Sequence, residues 1–414
     1  MTERVTNWAG NVVFNARQLH RPTSVDEVRD LVVAGGPLRV LGSGHSFNRM
    51  ADTEGGLISL AGLPRLVEVA ADRRTVRVDG GIRYGELAVA LADQGLALHN
   101  TASLPHISVA GAVATATHGS GSRNRNLATT VAGLEFIDGN GRPVTLTRSD
   151  DDLLGAVVGL GAPGVVTALT LDVVPYFELR QFVYDTVPRA QVDAHLPEML
   201  ADGYSVSLFT DWKRTDVLSH AWLKRAEPMS GEWFGAVPAD GPRHPVPGMP
   251  ATNSTDQSGE LGPWHLRLPH FRMEFTPSAG AELQSEYHLA AADAVAGLDA
   301  VAAIHERVAS VLQVCEVRAI AADELWLSPN YRRDSVALHF TWIADTDAVL
   351  PVVRELEERL APLAPRPHWG KVFTTDPITV RAQYERFADF RALVRRYDPA
   401  GTFGNAWLAA MFGE

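Results

Sequence analysis

The sequence predicts an α+β protein of two domains, on three observations. At 414 residues the chain is long for a single hydrophobic core, so two domains are the natural division. Helical and strand-like periodicities alternate up to about residue 176. Beyond that point the pattern changes to short strands with polar alternate members, separated by proline-rich connections, until a helical stretch returns near residue 380.

The elements follow in chain order. "SVDEVRDLVVAG" (24–35) opens on a serine cap, carries acids in its first turn and apolar residues at helical spacing, and stops at Gly35. "LRVLG" (38–42) is a short apolar strand running into a glycine-serine loop. "RTVRVDGG" (74–81) alternates as a half-buried strand does, and "RYGELAVALADQGLAL" (83–98) is an amphipathic helix closed by Gly95. A hairpin turn is expected at Asn140-Gly141 and a buried strand over "GVVTALTLDVVP" (164–175). The segment 235–263 is the largest loop and has no periodicity. "VRAQYERFADFRALVRRYDPAGTFGNAW" (380–407) reads as helix up to Asp398-Pro399 and turn thereafter.

Composition excludes several classes. A net charge of −12 repels nucleic acid and acidic membrane surfaces. Cys315 is the single cysteine, so no intrachain disulfide can form and a thiolate metal site would lack ligands. "MTERVTNWAG" has no signal-peptide character, and no apolar run reaches membrane-spanning length, so a cytoplasmic protein with no membrane or nucleic-acid partner is expected. Lysine occurs only at 213, 224 and 371; where arginine is the routine cation, a retained lysine invites a chemical explanation.

"VLGSGHSFNR" (40–49) places glycines, serines and one histidine directly after a strand. It is not the dinucleotide fingerprint, because Phe47 stands where the third glycine belongs and no helix follows. Successive backbone N–H groups could grip an anion there, but a plain surface turn fits these residues equally well. "ASLPHISVAGAVATATHGSG" (102–121) tips the balance. Its run of Ala, Gly, Ser and Thr lets backbone approach a flat ligand and leaves N–H groups free to donate. Two such segments, each after an apolar strand, point to one extended phosphate-bearing cofactor between them.

Four later segments carry polar residues inside strand-like runs: Glu316 and Arg318 in "VCEVRAIA", His339 and Thr341 in "VALHFTW", Lys371 in "HWGKVF", and Gln284 in "AELQSEY" with Glu282 and Glu286 at the same parity. A period of two puts each set on one strand face. A solvated sheet face explains any one of them. The opposite positions are apolar and aromatic, however, and a buried face with this mixture of donors and acceptors suits a hydroxyl-rich ligand such as a polyol.

"VLGSGHSFN", "LPHISVAGAVATATHGSG", "GAPGVVTALTL", "HWGK" and "DPAGTFGN", taken in order, resemble the vanillyl-alcohol-oxidase type of flavoprotein, and within it the bacterial alditol (xylitol) oxidases, over essentially the whole chain. The resemblance implies an FAD-binding domain from residues 1–181 and 374–414, with an antiparallel-sheet substrate (cap) domain over 182–373. It implies FAD bonded covalently through an 8α-histidyl link at His45. Cofactor contacts are implied for Leu41, Gly42, Ser43, Gly44, Ser46, Phe47, Ser103, Ser108, Gly111, Ala112, Val113, Ala114, His118, Val165 and Asn405. Arg318 and Lys371 would hold the C1 hydroxyl, lower its pKa and leave the C1 hydride facing flavin N5. Ser103, Gln284, Glu316, His339 and Thr341 would bind the remaining hydroxyls. Dioxygen is the acceptor that needs no second redox motif, giving hydrogen peroxide, and the near relatives imply a monomer. The expected activity is oxidation of a terminal primary alcohol of xylitol, sorbitol or a related polyol to the aldose. An aldonolactone oxidase or dehydrogenase shares several of the same segments, and a non-enzymatic flavin- or sugar-binding protein is the contrasting class.

Overall fold

The computed structural model describes residues 5–276 and 280–413. Met1–Arg4, part of the expectation about the amino-terminal segment, and Pro277–Ala279, just before "AELQSEY", lie outside the described residues, as does Glu414.

Local signals in the first part are realised much as read. Ser24 caps the helix Val25–Ala34 by accepting from the Glu27 N–H, and Gly35 ends it at φ 80°. Glu86 accepts from the Arg83 N–H at the start of the helix Tyr84–Ala92, and Gly95 follows with φ 68°. At the expected hairpin, Asp138 Oδ1 accepts from the N–H groups of Asn140 and Arg142, while Gly141 takes φ 74°. The strands of this part fall into three small sheets. Three short ones, Gln18–His20, Gly56–Ile58 and Leu38–Val40, pair in parallel. Five more, Val67–Val69, Thr75–Asp79, Gly164–Asp172, Val131–Asp138 and Pro143–Thr147, make an antiparallel sheet, and Leu96–Ala97 and Val174–Pro175 pair antiparallel apart from it. Hairpins rather than helical crossovers join part of this region, and antiparallel pairing is the only way a tight turn can join neighbours.

The rest of the chain is dominated by a nine-stranded antiparallel sheet. Its first long strand, Glu178–Pro188, begins before the boundary at 182 and just after the compositional change near 176. The central strands run in the order Val217–Arg225, Ser205–Thr210, Leu312–Ile320, Ser335–Ile343 and Glu282–Ala290. One face is covered by the helices Arg189–Ala201, Ala294–Ala302 and Thr346–Leu360: Val206, Leu208, Val317, Leu338, Phe340 and Tyr287 pack with Val192, Leu298, Val349 and Leu356. The alternate residues therefore face the other way, toward the first part of the chain. Pairing aligns them in rows, Glu316 beside His339 beside Glu286, and Val314 beside Thr341 beside Gln284.

Two readings of local structure are corrected. "HWGKVF" is not a strand through Lys371; the strand is only Arg366–Pro367, and Lys371 sits on the turn beyond it. The chain after Asp398 is not all turn, because Asn405 caps a further helix, Ala406–Phe412. No helix among the described residues is long and apolar enough to cross a membrane.

Candidate active site

The 41–48 loop and the 368–371 turn are locked together by backbone. The Phe47 N–H donates to the Gly370 carbonyl at 2.7 Å, and the Asn48 side-chain amide donates to the carbonyls of Trp369 (2.7 Å) and Lys371 (2.9 Å). Asn7 ties down the same loop by donating to the Ser46 carbonyl at 2.9 Å. These bonds bring His45 and Lys371, 326 positions apart in the sequence, onto the wall of one cavity. Against this loop lies the small-residue segment. A Cβ on Gly42 would come within 2.4 Å of Ser108 Oγ, and one on Gly111 within 2.7 Å, so a side chain at either position would force the Ser108 hydroxyl to turn away.

His45 stacks on Trp8, with ring centroids 5.0 Å apart and planes 18° from parallel. Both of its ring nitrogens are shielded from solvent without a hydrogen-bond partner. Burial pushes its pKa down to about 4, helped by the neighbouring His106 and Arg83 and opposed by the Ser43 backbone, so the imidazole is neutral near pH 7 and carries a free lone pair. The Ser108 hydroxyl is likewise buried and unpartnered. A glycine loop, an unpaired hydroxyl and an unpaired neutral imidazole fit a flat, phosphate-bearing group.

Opposite stands the charged sheet face. Glu286, with its side chain 1% exposed, accepts from Arg318 Nη2 and from Lys371 Nζ, each at 2.5 Å. Lys371 Nζ also lies 2.6 Å from His339 Nδ1, whose Nε2 is 3.1 Å from Thr341 Oγ1. Arg318 Nη1 reaches Ser103 Oγ at 3.4 Å. Glu316 Oε1 takes a bond from His270 Nε2 at 2.8 Å, and its Oε2 lies 3.7 Å from Arg318 Nε. Burial alone would raise the Glu286 pKa, but Arg318 and Lys371 override it and hold the carboxylate ionised. Burial pushes Lys371 down to about 8, against the pull of Glu286 and with the push of Arg318. Burial and the charge of Lys371 lower His339 to about 4, so it is neutral. The result is a fixed pair of cations around one carboxylate, with neutral donors and acceptors beside it.

Leu41–Ser46, Ser103, Ser108, Gly111, Ala112, Ala114, His118, Gln284, Glu316, Arg318, His339, Thr341 and Lys371 all line this cavity. Four expected residues do not present side chains to it. Phe47 is buried among apolar residues of the large sheet's core and meets Trp8 edge to face. Val113 points from its short helix into the core of the first part. Val165 lies on the far face of its strand with Leu38, Ile58 and Phe403, so that the next residue, Val166, reaches the wall instead. Asn405 spends its side chain capping the last helix at Leu408 and donating to the carbonyls of Met50 and Asp52. It braces the wall and does not form it.

Sequence reasoning passed over Glu286, noted only for its parity, although it sits at the centre of the cluster. It also missed His270 and His368, which come from irregular chain and carry no periodic signal. His118, Glu286 and His288 offer ligand atoms within 4.8 Å of one another. A cation there would compete with Arg318 and Lys371 for Glu286 and be repelled by both, so the cluster is assigned no metal.

Comparison with known proteins places this geometry. Residues 16–147 match the family described as an FAD binding domain, and residues 282–411 match that of D-arabinono-1,4-lactone oxidase. The cholesterol oxidase of B. sterolicum shares the fold, with a TM-score of 0.78 at 16% identity over 99% of this chain and 96% of that one. The L-gulono-1,4-lactone dehydrogenase of Mycobacterium tuberculosis is 29% identical over 99% of both chains. The alditol oxidase of a Streptomyces species is 53% identical over 99% of both chains. With that identity along its whole length and an FAD-binding segment around the His45 loop, the chain belongs to the alditol-oxidase family of flavoproteins with the vanillyl-alcohol-oxidase fold.

Proposed function

We propose that this protein oxidises the terminal primary alcohol of alditols such as xylitol and sorbitol to the aldose, with FAD attached at His45 through an 8α-histidyl bond and dioxygen as electron acceptor. The observation that carries the reading is that one cavity holds both the unpartnered imidazole of His45 and the Arg318–Glu286–Lys371 cluster. Bound FAD would supply the hydride acceptor and return its electrons to dioxygen as hydrogen peroxide.

The chain's own residues do the rest. Leu41–Ser46, Ser103, Ser108, Gly111, Ala112, Ala114 and His118 would hold the cofactor. Arg318 and Lys371 grip the reacting hydroxyl, and the guanidinium charge of Arg318 favours its deprotonation. Lys371, poised near 8, takes that proton in its neutral form. Glu286 is a positioning residue: it neutralises the two cations and fixes where they stand. Glu316, His339, Thr341, Gln284 and Ser103 match the other hydroxyls, and the buried setting excludes water that would compete for the same donors. We further assign the FAD-binding unit to residues 1–181 and 374–414 and the cap to 182–373, and infer a monomer acting in the cytoplasm.

Lactone oxidation is the second reading, favoured by the match of residues 282–411 to D-arabinono-1,4-lactone oxidase. Steady-state assays decide between them by following peroxide and product with a panel of alditols and 1,4-lactones. The proposal expects aldose and equimolar peroxide from xylitol, with at least about tenfold lower kcat/KM on L-gulono-1,4-lactone, the low end of what a pocket shaped for another substrate imposes. A preference for the lactone overturns it.

A further inference from the structure

Of the three lysines, Lys213 is an exposed partner of Asp211 and Lys371 belongs to the charged cluster. Lys224 is unexplained. It lies on the strand Val217–Arg225, 1% exposed, and its hydrogen bonds go to two carbonyls and an imidazole and not to a carboxylate. Burial pushes its pKa down to about 7 against the pull of Glu316, and a lone buried ammonium is costly unless its surroundings are built for it. These are. Its Nζ faces three acceptors, the Leu268 carbonyl, the Pro269 carbonyl at 3.4 Å and His270 Nδ1 at 3.1 Å, with the Trp222 ring 5.9 Å away. In its ammonium form the side chain has three donors and no acceptor, so every N–H finds one partner.

For the charged lysine this count, together with the ionised Glu316 carboxylate on the ring's other side, sets the chemistry of His270. If Nδ1 receives the lysine proton donor, its lone pair faces Lys224 and the ring's own hydrogen sits on Nε2, which lies 2.8 Å from Glu316 Oε1. The chain Lys224–His270–Glu316 therefore has one direction: each member donates to the next. It ends on a carboxylate whose other oxygen is turned toward Arg318 and the cavity. The opposite tautomer would set an imidazole lone pair against the Glu316 carboxylate and push it off this position.

We propose that Lys224 is a positioning residue for the polyol pocket, holding His270 in the tautomer that fixes Glu316 with one oxygen free for a substrate hydroxyl. The substrate clause rests on the alditol reading above; the hydrogen-bond clause does not.

The two are separated by two measurements on the FAD-loaded full-length protein. Nitrogen-15 NMR of histidine-labelled protein, with the His270 signals assigned by their loss in His270→Gln, reads the tautomer directly. The proposal expects hydrogen on Nε2 in the wild type and a shift toward the other tautomer in Lys224→Met. Hydrogen on Nδ1 in the wild type overturns it, whatever the substrate and even if the variant fails to fold. Kinetics with xylitol test the consequence. Lys224→Met should raise KM about tenfold, the scale of one lost charge-assisted hydrogen bond, with the change falling on KM more than on kcat. In His270→Gln the side-chain amide donates to Glu316 without help from Lys224, so adding Lys224→Met there should change KM by less than about twofold. An equal KM change in both backgrounds would show a general packing role and overturn the proposal. The expected tautomer in a protein inactive on every polyol would instead leave the relay standing and sink the alditol reading.

Discussion

The two walls of the cavity are built on opposite principles. The wall formed by residues 41–46 and 108–114 is mostly backbone and small side chains, with glycines packed close to the Ser108 hydroxyl and loop-to-turn hydrogen bonds holding it in place. The wall formed by the large sheet is side chain, with carboxylates, guanidinium, ammonium and imidazole on one face and apolar residues on the other. Shape and N–H groups suffice to hold a large rigid cofactor. A small flexible polyol has no shape to speak of, and needs charges fixed to a fraction of an ångström. Substitutions on the first wall should therefore change whether the cofactor is held, while those on the second should change the rate with the cofactor in place.

The largest break in that contrast comes from Glu286. Glu286→Gln leaves Arg318 and Lys371 buried without their shared counter-charge, and removing one partner of a buried pair costs about 3–5 kcal/mol. Chemical denaturation should show a loss of that order together with a collapse of kcat; wild-type stability and turnover would refute the counter-ion role. Next, Lys371→Met should lower kcat about 10²–10³-fold with full flavin content, as loss of one donor to a developing oxyanion does. On the other wall, His45→Ala should release its flavin on acid precipitation where the wild type retains it, and a retained yellow pellet would relocate the attachment.

The pH dependence sharpens the second wall. Lys371 loses its proton as pH rises through about 8. If the neutral amine receives the hydroxyl proton, stopped-flow flavin reduction should rise about tenfold per unit below that point and level above it. Glu286 raises the Lys371 pKa, so Glu286→Gln should move the rise to lower pH. Lys371→Arg stays cationic and should show no rise. A flat wild-type profile would remove the lysine from the proton path. The smallest effect is expected at Asn405. Asn405→Ala deletes a helix cap and two loop contacts, lowering stability by about 0.5–2 kcal/mol with little change in reduction rate.

The contrast between the walls also explains what could be read in the sequence. Period-two patterning put Glu316 with Arg318 and His339 with Thr341 on one face, because strand geometry allows nothing else. Glu286 has the same parity as Gln284, but its role as a shared counter-ion arises only when a strand and a distant turn supply its two cations. Lys371 was legible as a residue and not as geometry: it belongs to a turn held by Asn48, a contact that no periodicity encodes. His270 comes from irregular chain, where tertiary contacts alone decide position. On the cofactor wall the glycine and serine spacing was informative, yet a one-residue register difference puts Val166 and not Val165 on the surface.

The central claim, that the cation cluster acts on substrate beside a flavin held at His45, is tested most directly by adding xylitol anaerobically to purified wild type and Arg318→Ala and following the yellow band. The account expects rapid bleaching in the wild type and bleaching slowed at least about a hundredfold in the variant, with flavin bound equally in both. Equal bleaching rates, or a wild-type band indifferent to xylitol, would contradict it.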